Sequence, residues 1–276
     1  MPFKLITTSV CLALLLGCVE KEDEEELKTS SDFATSEIEA HYAVEVMVDG
    51  QTSENTVHFY ANFYGNGQAL ELTGEDEVSA VINSTSEPLL SEESTGIANY
   101  RLVETLDAVG PHYIFELSRV EQASAPSSMV IIPQAFQPTE PVSYTTVIAV
   151  DNTFPLKWLN VGVVDAVDSE ADSEAALDSK QFTLRYDYDC RNGNSNSTAV
   201  GSYVEKFIED NGEHTVKLNK VFGIQSGDSS FGRCERFDIT LIRSDSNDRL
   251  DPSLQGGSTV GAQVRYIREL TIEDIL

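Results

Sequence analysis

The sequence predicts an all-β protein, two tandem antiparallel Ig-like β-sandwich domains that follow a signal peptide and an acidic tether. Three observations carry that expectation. From Tyr42 onward apolar side chains recur with period two, the spacing of a half-buried strand. Clusters of Gly, Asn, Asp and Pro interrupt these runs at short intervals. No convincing helical pattern of about 10 or more residues lies between them.

The N-terminal stretch is the exception. Residues 1–17 have the layout of a secretory signal: Lys4 in a short n-region, an apolar run from Leu5 to Leu16, then the small residue Gly17. An apolar run of roughly 12 residues is too short to cross about 30 Å of hydrocarbon as a permanent helix. Leu15-Leu16-Gly17-Cys18 resembles the bacterial lipobox, with Leu16 bulkier than that position usually holds. The resemblance implies cleavage between Gly17 and Cys18 and acylation of Cys18, so that the lipid bilayer becomes a partner through the acylated cysteine. Two or three acyl chains anchor durably where one does not, since each buried CH₂ contributes about 0.8 kcal/mol. Val19, in place of Asp, resembles the outer-membrane sorting rule of enteric bacteria. The implied location is the cell envelope, at the outer membrane, with the periplasmic and surface-facing sides both open.

Residues 18–38 are rich in acids, Ser and Thr, which predicts a disordered tether. Its Lys21-Glu22-Asp23 is similar to the surface-export signal of some Bacteroidetes lipoproteins, although the match covers only a few residues and an acidic tether is the better explanation. The first sandwich is expected over residues 39–136. Tyr42, Val44, Val46 and Val48 share one face, as do Val57, Phe59, Ala61 and Phe63, and Gly65-Asn66-Gly67 has hairpin-turn chemistry. Further strands are expected at Leu70–Thr73, Val78–Asn83, Ala98–Glu104, Tyr113–Val120 and Met129–Ile132. Pro133–Pro141 then breaks the pattern, as a last strand followed by a linker.

A second sandwich is expected over residues 137–276. Strands are expected at Tyr144–Val150, Leu156–Val161, from Phe182 to Cys190, and then at Ala199–Val204, His214–Phe222, Phe237–Arg243 and Gln263–Leu270. Asp165–Lys180 suits a loop or one marginal helix. Trp158 suits core packing or, alternatively, an exposed platform for ligand stacking.

Of the four cysteines, Cys11 lies in the apolar run and Cys18 heads the lipobox. Cys190 and Cys234 remain, and two cysteines left over in an exported chain predict one disulfide. Neither has a Cys or His at zinc-ligand spacing. The formal charge is −28, and removing residues 1–17 takes away Lys4 and no acid, leaving −29. Such a surface repels nucleic acid, whose binding needs Lys and Arg to displace counterions. Anionic headgroups are disfavoured equally, so the lipid is the only evident membrane contact, and a protein or glycan partner stays open.

The chain is also similar to an uncharacterised group of proteobacterial envelope lipoproteins with two Ig-like β-sandwiches. Ser124–Phe136 (SAPSSMVIIPQAF) and Arg249–Arg265 (RLDPSLQGGSTVGAQVR) carry that resemblance. It implies architecture and no activity.

Catalytic patterns are not apparent. His41, His58, His112 and His214 include no pair at i+4 around a Glu, and there is no Gly-x-Ser-x-Gly elbow. Gly227–Gly232 (GDSSFG) has the look of a serine-protease loop, but no His motif accompanies it. Acids are too abundant for a glycosidase pair to be singled out. No cofactor is expected, with calcium as the one cation to weigh, because hard cations take several loop oxygens. Asp245, Asn247, Asp248 and Asp251 form one candidate loop, and Asp187, Asp189, Asn192 and Asn194 another; neither matches an EF-hand. The leading expectation is a non-enzymatic envelope lipoprotein with a structural or interaction role. The alternatives are a calcium- or carbohydrate-binding surface lipoprotein and, more remotely, a hydrolase using acidic residues.

Overall fold

The structure, a computed structural model, describes residues 28–48, 55–94, 97–133, 136–160, 181–192, 198–223, 231–246 and 249–273. The fold is all-β, with strands gathered into three sheets. The largest has eleven strands. Its first half contains β1 (Lys28–Thr29), β2 (Ile38–Val48), β3 (Asn55–Gly65), β4 (Gln68–Glu71), β7 (Leu90–Ser94) and β8 (Ile97–Leu106). Its second half contains β12 (Thr145–Ile148), β14 (Gln181–Asn192), β15 (Thr198–Glu209), β17 (Phe231–Ser246) and β18 (Thr259–Glu273).

Each half is covered on its inner face by a smaller sheet, giving two sandwiches. The first cover has four strands, β5 (Glu77–Ile82), β6 (Thr85–Pro88), β9 (His112–Ser118) and β10 (Ala125–Ile131). The second has three, β11 (Phe136–Glu140), β13 (Thr153–Asn160) and β16 (Glu213–Lys217). Aromatic side chains mark the two interiors. In the first, Tyr42 stacks on Phe115 at 4.6 Å, and Phe59 meets Tyr113 edge-on at 5.0 Å. In the second, Phe136 meets Phe182 at 4.6 Å and Tyr266 at 4.8 Å. These contacts follow from period two, which sends Tyr42, Val44 and Val46 inward and Glu39, His41 and Glu45 outward.

The sandwiches share their long sheet. The N-terminal half of β18 pairs in parallel with β2, from Thr259 opposite His41 to Tyr266 opposite Val48. Its C-terminal half pairs in parallel with β12. A third parallel contact joins β1 to β4, and the remaining strand pairs are antiparallel. The residue ranges expected for separate domains are therefore joined by main-chain hydrogen bonds along β2 and β18.

Two local expectations need correction. The tether was expected to run to residue 38, yet Lys28–Ile38 lies folded on the body. β1 pairs with β4, two short 3-10 turns follow at Ser30–Asp32 and Thr35–Glu37, and Ser30, Phe33, Thr35 and Ile38 are buried. The acid-rich composition of the flanking sequence obscures these four contacts, and residues 18–27 of the expected tether lie outside the described residues. The strand expected over His214–Phe222 stops at Lys217. Leu218–Phe222 is one helical turn, α1, because Leu218 and Val221 bury together at helical spacing. Gly223 ends it in the left-handed region at φ 64°, where glycine carries no Cβ penalty.

Candidate functional site

Three arginines among the described residues point into the core: Arg119, Arg243 and Arg268. Each continues a period-two run of inward residues. Arg119 follows Tyr113, Phe115 and Leu117, and Arg243 follows Phe237, Ile239 and Leu241. Arg268 falls between Tyr266 and Leu270. A buried guanidinium must be matched by acceptors or a carboxylate, or its desolvation is not offset. The three are matched in different ways.

Arg119 clasps the N-terminal arm. Its Nε donates to Asp76 Oδ2 at 3.1 Å, and its Nη2 donates to the Ser30 carbonyl at 2.5 Å. Its Nη1 donates to the Phe33 carbonyl at 3.0 Å and to Thr35 Oγ1 at 3.1 Å. Asp76 is held in turn by Ser30 Oγ at 2.7 Å and by the Val120 N–H at 3.2 Å. Thr35 Oγ1 donates onward to the Ala123 carbonyl. On the other side of the arm, the Phe33 ring lies on Gly65, where an added Cβ would come within 2.7 Å of the ring. An open depression of about 470 Å³, lined by Ser31, Glu75, Asp76, Arg119 and Gln122 among others, adjoins the clasp.

Arg243 lies between two aromatic faces, 4.7 Å from the Phe182 centroid and 5.1 Å from that of Phe136. Its Nη2 donates to Asp210 Oδ2, and Trp158 Nε1 donates to Asp210 Oδ1 at 2.8 Å. Burial pushes the Arg243 pKa down, against the opposing pull of Asp210. Trp158 is 2% exposed and packs on Phe182, so neither ring face is open. The expectation of a ligand-stacking platform at Trp158 is corrected accordingly. Its ring fills the core, and its one polar atom is used to orient Asp210. Arg268 donates to the Pro138 carbonyl and, at 3.3 Å, to Ser143 Oγ.

A fourth cluster centres on Glu205 beneath α1. Lys220 Nζ donates to Glu205 Oε1, His214 Nε2 lies 3.3 Å from Oε2, and the Tyr186 hydroxyl donates to Oε2 at 3.4 Å. Burial alone would raise the Glu205 pKa. Lys220 and His214 outweigh it and hold the carboxyl below its usual range. Tyr186 is pushed far up, first by burial and then by the Glu205 charge, so it stays a neutral phenol.

The candidate calcium loop resolves differently. Asn247 and Asp248 lie outside the described residues, as does the side chain of Asp245. Asp251 is buried, and its carboxylate is engaged as a stitch. Ser127 donates to Oδ2 through its N–H at 3.0 Å and its hydroxyl at 2.7 Å, and the Ser253 N–H donates to Oδ1 at 2.9 Å. Burial raises its pKa, and these donors bring it net below the ordinary value. Asp251 is therefore corrected from a candidate ligand to a clamp that holds Arg249–Leu254 against β10. In the other candidate loop Asp187 pairs with Arg185 at 2.8 Å, and Asn194 lies outside the described residues. No group of three or more His, Cys, Asp or Glu side chains among the described residues is placed to share a metal ion.

Cys190 and Cys234 form a disulfide between directly opposed residues of β14 and β17. Gly17, Cys18, Asp165–Lys180 and the Gly227–Ser230 part of the polar loop lie outside the described residues. No helix among the described residues is long and apolar enough to cross a membrane. The clasp and the Arg243 site were missed from sequence, although period two could have flagged both arginines as inward-facing.

No family model matches the chain, and no curated protein sequence matches it. Among solved structures, the crystal structure of CBD12 from CALX1.2 is matched at 12% identity and a TM-score of 0.17, over 83% of this chain and 100% of that one. A superposition so loose carries no argument about function.

Proposed function

We propose that the chain is a lipoprotein of the cell envelope, cut after Gly17 and acylated on Cys18, whose body has a non-enzymatic structural or interaction role. The observation that carries this reading is the Cys190–Cys234 disulfide. These are the two cysteines that the N-terminal address leaves over, and a disulfide fits an oxidising compartment. The docked arm supports the reading further. Cys18 stands ten peptide steps before Lys28, a reach of at most about 35 Å when fully extended. A lipid on Cys18 would therefore keep the clasp end of the first sandwich close to the bilayer. The buried charges favour a non-catalytic body, because Arg119, Arg243 and Asp251 are engaged by partners within the fold.

Cys18→Ser is the direct test. The variant is expected to leave the membrane fraction and to lose labelled palmitate. Firm attachment without label would overturn the lipid anchor. Density separation of inner and outer membranes tests the location, and protease treatment of intact cells decides which side the body faces.

A further inference from the structure

The sequence holds three Asn-Gly pairs. Such a pair carries its own nucleophile, because glycine leaves its main-chain nitrogen unshielded beside the asparagine carboxamide. Asn192-Gly193 lies partly outside the described residues. The other two, Asn66-Gly67 and Asn211-Gly212, are both exposed at the asparagine, yet the fold holds them in opposite ways.

Asn66-Gly67 is the two-residue loop between β3 and β4, with Gly65 opposite Gln68. Its residues stand at φ 52° and φ 76°, the left-handed pair of a tight hairpin. There ψ is about +47°, which sets the Gly67 nitrogen on the far side of the Cα–C bond from the Asn66 side chain. Ring closure between them requires the hairpin to open. Asn211-Gly212 joins β15 to β16, and Asn211 is not in the left-handed region. Asn211 Oδ1 accepts the Glu213 N–H at 3.1 Å, an Asx turn that folds the carboxamide over its own main chain. The same N–H polarises the carbonyl on which negative charge develops during attack. Gly212 is held as well. Its carbonyl accepts the Trp158 N–H at 2.9 Å, and its φ of 90° suits glycine. Electrophile and nucleophile are thus both fixed, at neighbouring positions, by partners on β16 and β13.

We propose that Asn211 is a site of spontaneous deamidation in the folded protein, with water as the only co-reactant. The Gly212 nitrogen gives its proton to solvent and bonds Asn211 Cγ. The Cγ–Nδ2 bond breaks, and Nδ2 leaves as ammonia, taking one proton from solvent. Water then opens the succinimide ring. Cleavage at Cγ leaves aspartate, whereas cleavage at the main-chain carbonyl leaves isoaspartate, whose chain gains one methylene. Either product adds a negative charge next to Asp210, whose side chain is 8% exposed and holds Arg243 Nη2 and Trp158 Nε1. The isoaspartate also displaces Gly212 from the Trp158 N–H. The reaction therefore loosens the arginine core of the second sandwich as the molecule ages, and it does not depend on the lipid anchor.

The test ages the purified full chain at mildly alkaline pH and maps its peptides by mass spectrometry, with isoaspartate identified by enzymatic methylation. Conversion at Asn211 is expected to outpace conversion at Asn66 by about tenfold or more. Equal rates, or a faster Asn66, would overturn the proposal. The same comparison in concentrated urea is expected to bring the two rates together, because both turns are lost. A ratio that persists in urea would assign it to the flanking residues and overturn the role of the fold. Asn211→Gln, whose longer side chain closes a ring slowly, is expected to keep its melting temperature through the ageing period while that of the parent falls. An equal fall in both proteins would place the damage elsewhere and overturn the link to Asp210.

Discussion

The two sandwiches cover one shared sheet differently. The first has a four-stranded cover, whereas the second has three strands and the disulfide between β14 and β17. Each also buries an inward-facing arginine paired with an aspartate. Arg119 draws on Asp76 and two main-chain carbonyls of the N-terminal arm, so its charge fastens a separate segment. Arg243 draws on Asp210 and the faces of Phe136 and Phe182, so its charge fills the core. The contrast teaches that the same residue at the same phase of a strand does different work according to what lies beyond the strand end. Where a chain segment passes, the guanidinium holds it in place. Where aromatic rings close over it, the guanidinium becomes part of the packing.

The largest change should come from the second sandwich. Replacing both Cys190 and Cys234 by Ala removes a cross-link over a sequence separation of 44, worth about 4 kcal/mol in the chain-entropy model. A melting temperature equal to that of the oxidised parent would contradict a stabilising role. Next, Arg119→Ala leaves the Asp76 carboxylate short of its cation and should cost about 3 kcal/mol. It should also make Lys28–Ile38 sensitive to limited proteolysis, whereas Arg243→Ala should not. Equal sensitivity in the two variants would erase the distinction between fastener and core filler.

Trp158→Phe keeps most of the ring volume and removes the N–H that orients Asp210, an expected loss of about 2 kcal/mol for a hydrogen bond to a charged group. An unchanged denaturant midpoint would show that Arg243 alone holds Asp210. The smallest effect is electrostatic. The Glu205 carboxyl is held below its unfolded value, so its contribution is present above about pH 4.3 and is lost as pH falls through the lower, folded value. Glu205→Gln should flatten that acid limb of the stability curve. A limb of unchanged slope would remove Glu205 from the account.

Much of the strand pattern was legible because period two is a local property. Tyr42 to Val48 and Phe182 to Cys190 declare both their conformation and their buried face. The phase of Arg119 and Arg243 was equally visible, but their acceptors were not, because Asp76 and Asp210 are distant in sequence and sit among 46 acids. The docked arm escaped notice because burial at Ser30, Phe33, Thr35 and Ile38 follows neither regular period. α1 escaped because one turn is too short to display a helical repeat. The parallel contact of β2 with β18 escaped because each strand alone specifies its buried face and not its neighbour.

That contact also sets an order of events in time. His41 and Thr259 touch across 218 positions of sequence, and β18 completes the sheet that both sandwiches share. A chain delivered from its N terminus must hold these edges of β2 and β17 unpaired until β18 arrives. Closing so long a loop is slow, and bare strand edges invite association with other chains in the interval. The finished molecule is thus joined through β2 and β18, and the moment before joining is when it most needs protection.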